Sequence, residues 1–360
     1  MLGTIIGAGV FALPAAMKTG GILGASAAYW LIAGVVIGTH ALYAEVVAKG
    51  KGKARHWFPG HAGRYLGPWA ERVTLLSHPA QIIGACLAYL VLGGGFLSSL
   101  AHQLGRADSV FAWQLAFWLC GSVLVLSGTG KLSRAGLAVT WAMAALMTVA
   151  IILFAPHADP QMFSTFNIGG IPAVLGVFLF ALTGWTAVPD VAARCGNDAA
   201  MTRKAVITGT SVAALLMWLF GVLGYAAVGA SLTSNPDDVA RVFPVFFFWL
   251  FPLIGACTVL SPFVNLSRDL TETLRVDAGI PQDLSLAVVL LSPLALLFWT
   301  SRNFLDTVGF VGAILTAFNS LIVCMIVLAS RKKEKGWLPT FFPVLFGAVY
   351  LFIFLQRLFL

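Results

Sequence analysis

Two hexapeptides 175 residues apart, Gly9-Val10-Phe11-Ala12-Leu13-Pro14 and Gly184-Trp185-Thr186-Ala187-Val188-Pro189, share the pattern G-x-x-A-[LV]-P inside long apolar runs. Neither pairs a nucleophile with a base or offers a metal-spaced cluster, so the chemistry on offer belongs to the backbone. In lipid every N–H and C=O needs an internal partner, and a glycine-loosened, proline-marked interruption is tolerated only where the freed groups face protein or a water-filled cavity. Paired interruptions at matching places in two halves of a protein predict the central binding site of a transporter.

Other chemistries lack their residues. There is no H-E-x-x-H, no G-x-S-x-G and no lumenal acid pair, which excludes the familiar membrane-embedded enzymes and leaves no catalytic residue to assign. Cys86, Cys120, Cys195, Cys257 and Cys324 show no C-x-x-C or metal spacing, so they read as small apolar packing residues, with no metal and no cofactor. Neither a filter loop nor a set of pore-lining rings marks a channel.

The elements that must position the two motifs follow from composition. At 59% hydrophobic and 10% charged, the 360 residues cannot form one soluble globule. Spans of about 20 residues cross the roughly 30 Å hydrocarbon core. Cutting at charged or Pro/Gly-rich breaks predicts an all-α membrane protein with eleven spans: 2–18, 22–48, 71–101, 110–127, 135–156, 171–190, 204–230, 242–268, 284–300, 304–330 and 338–357. The net charge of +8 is sorted by membrane side, which argues against a nucleic-acid partner: of 22 Lys and Arg residues, seventeen fall in loops after even-numbered spans, and only Lys18, Arg106, Arg241, Arg302 and Arg357 fall elsewhere. The positive-inside rule then predicts a cytoplasmic membrane protein with its N-terminus in the cytoplasm and its C-terminus outside. The first apolar run lacks a basic n-region and a cleavage site, so no cleavable signal peptide is expected.

A shift of 175 residues lays spans 1 to 5 on spans 6 to 10. Five is odd, so the second unit must cross in the opposite sense, giving a 5+5 inverted repeat with a pseudo-two-fold axis in the membrane plane. The expected units are 1–156, 157–330 and a further helix in 331–360. Gly, Ala and Pro are common in membrane helices and could match by chance; that one offset registers all five pairs favours the repeat.

The run Gly3-Thr4-Ile5-Ile6-Gly7-Ala8-Gly9-Val10-Phe11-Ala12-Leu13-Pro14 resembles the first helix of the amino acid/auxin permease family, bacterial branch, within the amino acid, polyamine and organocation superfamily. In order, Pro59 to Gly67 resembles that family's first inner loop, Phe180 to Asp190 its broken sixth helix, and Lys204 to Thr210 the opening of its seventh. The resemblance extends over essentially the whole sequence. It implies the leucine-transporter-type fold with helices 1 and 6 discontinuous, and secondary transport of amino acids, neutral or aromatic, by alternating access with proton or sodium coupling. Only six residues precede Gly7, where the family has a cytosolic tail and a full half-helix. Either the start is assigned too late, the favoured reading, or part of the inner gate is missing and the protein is a non-transporting amino acid sensor on the same scaffold.

For a zwitterionic substrate the resemblance and the chemistry together nominate residues. A fixed charge at mid-membrane costs about 2.5–3.5 kcal/mol, so half-helix ends are the economical ligands. N–H groups of Gly7, Ala8, Gly9 and neighbours, at the positive dipole end of the second half-helix, are expected to take the carboxylate; close helix packing is the competing account of Gly7 and Gly9. Carbonyls freed around Phe180, Ala181 and Thr183 are expected to take the ammonium, and Gly184 is placed with them at the substrate site. Phe180 and Trp185 are expected to cover the substrate, and Tyr89 to present its hydroxyl. For coupling, the sodium-dependent pattern points to Gly3 and Ile6 with Thr258 and Ser261, three apart on one helical face, although Val259 stands where a second adjacent hydroxyl belongs. Span 5 has no Lys for a proton route, which leaves His40 and His78. Glu45 and Asp190 are candidates for inner-gate ion pairs or plain interfacial solvation. Lys49 to Arg72 reads as an amphipathic element on the inner leaflet or an ordinary basic loop. The expected partners are an amino acid and the lipid bilayer, and the oligomeric state is not legible.

Overall fold

Glycines with positive φ sit at several helix ends, Gly21, Gly67 and Gly229 among them, whereas Pro14, Pro79, Pro252, Pro262, Pro293 and Pro343 lie inside helices, so the proline of the first motif does not end its helix. The computed structural model describes residues 1–49, 58–106, 109–127, 132–233, 238, 245–299, 303–331 and 338–359, and among these it is all-helical. A short α1 (Leu2–Ile5) is followed after Ile6-Gly7-Ala8 by α2 (Gly9–Gly20). Gly21, at φ +69°, turns the backbone into α3 (Ile22–Lys49). Then come α4 (Phe58–Leu66), α5 (Pro68–Gln103), α6 (Val110–Leu126) and α7 (Leu132–Phe154). The second discontinuous helix is α8 (Ile171–Leu182), a 3₁₀ turn at Trp185–Ala187 and α9 (Val188–Arg194). It is followed by α10 (Ala199–Val228), α11 (Val245–Val276), α12 (Gln282–Trp299), α13 (Phe304–Phe310), a π-helical turn (Val311–Thr316), α14 (Ala317–Ser330) and α15 (Leu338–Phe359).

Eight helical segments among the described residues are long and apolar enough to cross a membrane, Ile168–Arg194 and Phe304–Ser330 among them, and Val110–Leu126 and Trp141–His157 are shorter apolar helices. The first expected span is therefore not one rod: α1 and α2 share it. Of the stretch Lys49 to Arg72, residues 50–57, Trp57 included, lie outside the described residues. The rest departs from a leaflet-bound element: Phe58, Pro59 and Ala62 of α4 are buried, and α4 packs on α5 and α14. An amphipathic helix buries its apolar face in protein when a protein groove is offered.

Two helix groups carry the core. In one, α2 packs on α8 and α10, and α3 on α8 and α10; in the other, α5 packs on α6, α11 and α12. Phe11 of α2 meets Phe96 of α5 at 4.9 Å between ring centroids and Phe251 of α11 at 5.8 Å, and Phe220 of α10 joins it at 6.5 Å. All four rings are buried, and they bridge the groups beyond Gly9 with the edge-to-face packing that aromatic quadrupoles favour. Lys18, at the same end, donates from Nζ to the carbonyls of Ala230 and Leu232 at 2.8 and 2.6 Å. The cysteines divide: Cys86 and Cys324 are buried as expected, whereas Cys120 and Cys257 face outward, where lipid accepts an apolar thiol as well as a core does.

Candidate functional site

Between the groups lies a cavity of about 90 Å³. One wall is made by the interruptions: Gly3, Thr4 and Ile5 of α1, then Gly7, Ala8 and Gly9, with Phe180, Ala181, Thr183 and Thr186 from the other break. The opposite wall is α5 and α11, through Gln81, Ile82, Ala85 and Tyr89 and through Pro262, Asn265 and Leu266, with Thr316 from the π-helical turn.

The first break opens because Ile6, at ψ 85°, leaves the helical region. Gly7 N–H reaches only to the Ile5 carbonyl at 2.9 Å, and regular bonding resumes with Val10 N–H on Gly7 O at 3.3 Å and Phe11 N–H on Ala8 O at 3.1 Å. Among the described residues the N–H groups of Ala8 and Gly9 have no backbone acceptor; they are first-turn orphans that line the cavity. At the second break α8 closes on Leu179, whose carbonyl accepts both the Thr183 N–H at 3.1 Å and the Thr183 hydroxyl at 2.7 Å. That leaves the carbonyls of Phe180 and Ala181 without backbone donors among the described residues, and both residues also line the cavity. Free donors at the start of one half-helix and free acceptors at the end of another thus meet in one space, at the positive and negative dipole ends respectively.

His40 of α3 holds the second break. Gly184 N–H donates to His40 Nε2 at 3.2 Å, so that nitrogen keeps its lone pair; the ring proton therefore sits on Nδ1, 3.3 Å from Thr210 Oγ1 on α10. His40 is buried and takes the N–H that a continuous helix would have spent on Phe180 O. Replacing it with leucine orphans a buried N–H, a cost of about 1–3 kcal/mol. His40→Leu is expected to cut uptake by about tenfold, with His40→Gln, which keeps an acceptor, recovering part of it in the same flux assay.

Several expected residues stand elsewhere. Trp185 does not cover the cavity. It is 1% exposed, with its ring 4.5 Å from Phe58 and 5.6 Å from His78. The cause is the 3₁₀ turn, which presents Thr186 to the cavity and swings the indole to the far side. His78 belongs to this aromatic cluster, and its Nδ1 has no hydrogen-bond partner among the described residues. Gly184 serves packing, since a Cβ there would stand 2.6 Å from Ile5 Cγ1. Tyr89 does reach the site: its hydroxyl is 3.7 Å from where a Cβ on Gly7 would be. Among the sodium candidates Gly3 lines the cavity and Ile6 does not. Thr258 donates to Ile254 O at 2.7 Å and lies 3.4 Å from the Met143 sulfur, on the α7 side of α11, while Ser261 is half-buried one residue before the lining Pro262. Gln81, Asn265 and Thr316 were not foreseen. The rule that nominated membrane histidines, that polar side chains at depth need a reason, applies equally to the carboxamides Gln81 and Asn265, which a residue-by-residue reading and not a hydropathy average brings out; Thr316 carries no such signal.

A family model described as transmembrane amino acid transporter protein matches residues 1–261. The chain belongs to that family. This transporter is 19% identical to glutamine transporter 2 of Aliivibrio fischeri over 345 residues, covering 92% of its own length and 88% of the other. Among solved structures it is similar to MhsT in complex with L-phenylalanine, with a TM-score of 0.64, 15% identity and 99% and 96% of the two proteins covered. It is likewise similar to Mhp1, a nucleobase-cation-symport-1 family transporter in a closed conformation with bromovinylhydantoin bound, with a TM-score of 0.64, 12% identity and coverage of 99% and 90%. The transporter therefore has the leucine-transporter-type fold and is not an enzyme. Glu45 of α3, between Ala44 and Val46 of the buried cluster that holds Trp185, accepts from Arg331 Nη2 at 2.7 Å, beyond α14, and pairs with Arg203 Nη1 of α10 at 3.2 Å. Arg203 is half-exposed, and its pair with Glu45 is worth about 0–1 kcal/mol.

Proposed function

We propose that this family member is a secondary active transporter that moves neutral amino acids across the cytoplasmic membrane by alternating access, coupled to a proton or sodium gradient. The observation that carries it is the meeting of the Ala8 and Gly9 N–H groups with the Phe180 and Ala181 carbonyls in one cavity. A carboxylate takes the first set and an ammonium the second, the two groups every α-amino acid shares. Among the described residues the lining contains no Asp, Glu, Lys, Arg or His, so a ligand of zero net charge leaves no charge uncompensated there. Glutamine and L-phenylalanine, named for the relative and the MhsT complex, are both of this class.

In this reading the α1/α2 pair, the eight long helices and the two shorter ones are eleven spans, with residues 1–156 and 157–330 as inverted repeats and the helix in 331–360 outside them. The N-terminus is cytoplasmic and the C-terminus external. The Phe11, Phe96, Phe220 and Phe251 cluster then closes the external side, and Glu45 with its two arginines lies on the internal one.

Reconstituted proteoliposomes are expected to accumulate labelled neutral amino acids when a proton or a sodium gradient is imposed separately. Saturable binding with no accumulation under either gradient would move the assignment to the sensor.

A further inference from the structure

We propose that the substrate's own side group forms hydrogen bonds, a carboxamide best of all, and that Gln81 and Asn265 read it; this rests on the cavity being the amino acid site. The backbone ends on one wall recognise only what all amino acids share. Selectivity must come from the facing wall, where α5 and α11 each contribute one carboxamide to a lining that is otherwise apolar or hydroxylic.

The polarity of Gln81 is fixed by a series of bonds that starts at a backbone carbonyl. Asn319 of α14 donates from Nδ2 to Ser77 O at 3.2 Å, while its Oδ1 accepts the Ser77 hydroxyl at 2.6 Å. A carbonyl can only accept, so the Asn319 amide can be placed only one way round. Its Nδ2 also donates to Gln81 Oε1 at 2.6 Å, and Gln81 Nε2 in turn donates to Thr316 Oγ1 at 3.2 Å. Both acceptor and first N–H of Gln81 are thus committed, and the second N–H is left for the cavity. Asn265 differs. Its amide has no hydrogen-bond partner among the described residues, it is exposed, and it lines the same cavity from a helix that otherwise buries Phe263 and Val264 completely.

A donor held rigidly by a network and a free carboxamide that can supply either role are the complement of a ligand group with one C=O and one NH₂. A glutamine-like ligand would give its carbonyl to Gln81 Nε2 and its NH₂ to Asn265 Oδ1. Leucine or phenylalanine would desolvate both protein amides and return nothing, the situation in which polar pockets discriminate most steeply. Glutamate or lysine would bring a charge to a lining that has no counter-charge among the described residues. The aromatic substrates that the family resemblance allowed are therefore disfavoured.

Equilibrium binding to the full-length protein in lipid nanodiscs tests this, with L-glutamine, L-leucine, L-phenylalanine, L-glutamate and L-lysine as probes. Glutamine is expected to bind at least about tenfold tighter than the other four, a difference of about 1.4 kcal/mol. In Asn265→Leu, glutamine and leucine affinities should converge to within about threefold, and Asn265→Ser, which keeps a small polar group, should retain part of the preference. Leucine or phenylalanine matching glutamine on the unaltered protein would overturn the side-group inference while leaving the transporter reading standing. An equal loss for both ligands in Asn265→Leu would overturn the role of Asn265. Binding of none of the five would overturn this inference and the site assignment together.

Discussion

Valine in place of Gly9 is expected to abolish uptake without preventing insertion into the membrane. A Cβ at Gly9 would lie 2.6 Å from Ala181 Cα and 2.8 Å from Ala181 Cβ, backbone against backbone, where no rotamer change relieves the overlap. Overpacking of this kind costs about 1–3 kcal/mol or more, and here it acts on the contact that sets α2 against α8. Any separation of these helices moves the Ala8 and Gly9 donors away from the Phe180 and Ala181 acceptors, and both must reach one small ligand. At Gly9 the missing side chain is thus required by helix packing, the competing account of the Gly7 and Gly9 pair. Gly7 lines the cavity with room to spare: a Cβ there would meet only Tyr89 Oη at 3.7 Å and Pro262 Cγ at 3.9 Å, ordinary contacts. Gly7→Ala should therefore fold normally and raise KM several-fold with little change in the maximal rate. Initial rates in proteoliposomes, beside a size-exclusion profile of each variant, separate the two cases. Wild-type uptake by Gly9→Val would show that the α2–α8 contact is dispensable.

The interruptions were legible because they are written in residue types whose backbone physics is local. Gly7, Gly9, Gly184 and the prolines that follow announce freed N–H and C=O groups wherever they occur in an apolar run. What those groups meet is not local. The acceptor for Gly184 N–H is His40, 144 residues away, and nothing in the sequence near either residue names the other. Trp185 shows a subtler limit. Its place beside the break is legible, yet the direction of its indole depends on whether Trp185–Ala187 form an α or a 3₁₀ turn, which the residue types of that stretch do not decide. Gln81 and Asn265 sit mid-span in helices whose mean composition is apolar, and a hydropathy window averages single amides away.

Alanine at Gly312 is expected to be as damaging as valine at Gly9, through a different element. The π-helical turn at Val311–Thr316 widens the helix from i→i+4 to i→i+5 bonding, and turns of this kind are frequent at functional sites. Here it lets a seam of glycines meet α8 at backbone distance. A Cβ on Gly312 would fall on the Gly176 carbonyl oxygen and stand 3.0 Å from Phe180 Cβ; one on Gly176 would reach the Gly309 carbonyl and Ala313. The same turn delivers Thr316 to Gln81. The seam therefore fixes both walls of the cavity at once, Phe180 on the side of the breaks and the Gln81 amide on the side of α5. Gly312→Ala must push α8 outward, which carries Phe180 and Ala181 away from α2, or straighten the π turn, which removes Thr316 from Gln81. The expected result is loss of detectable uptake and a lowered apparent melting temperature in detergent. Unaltered flux and stability in Gly312→Ala would show that α8 and the π turn are not held at this distance in the working protein, and with that the geometry of both walls would have to be redrawn.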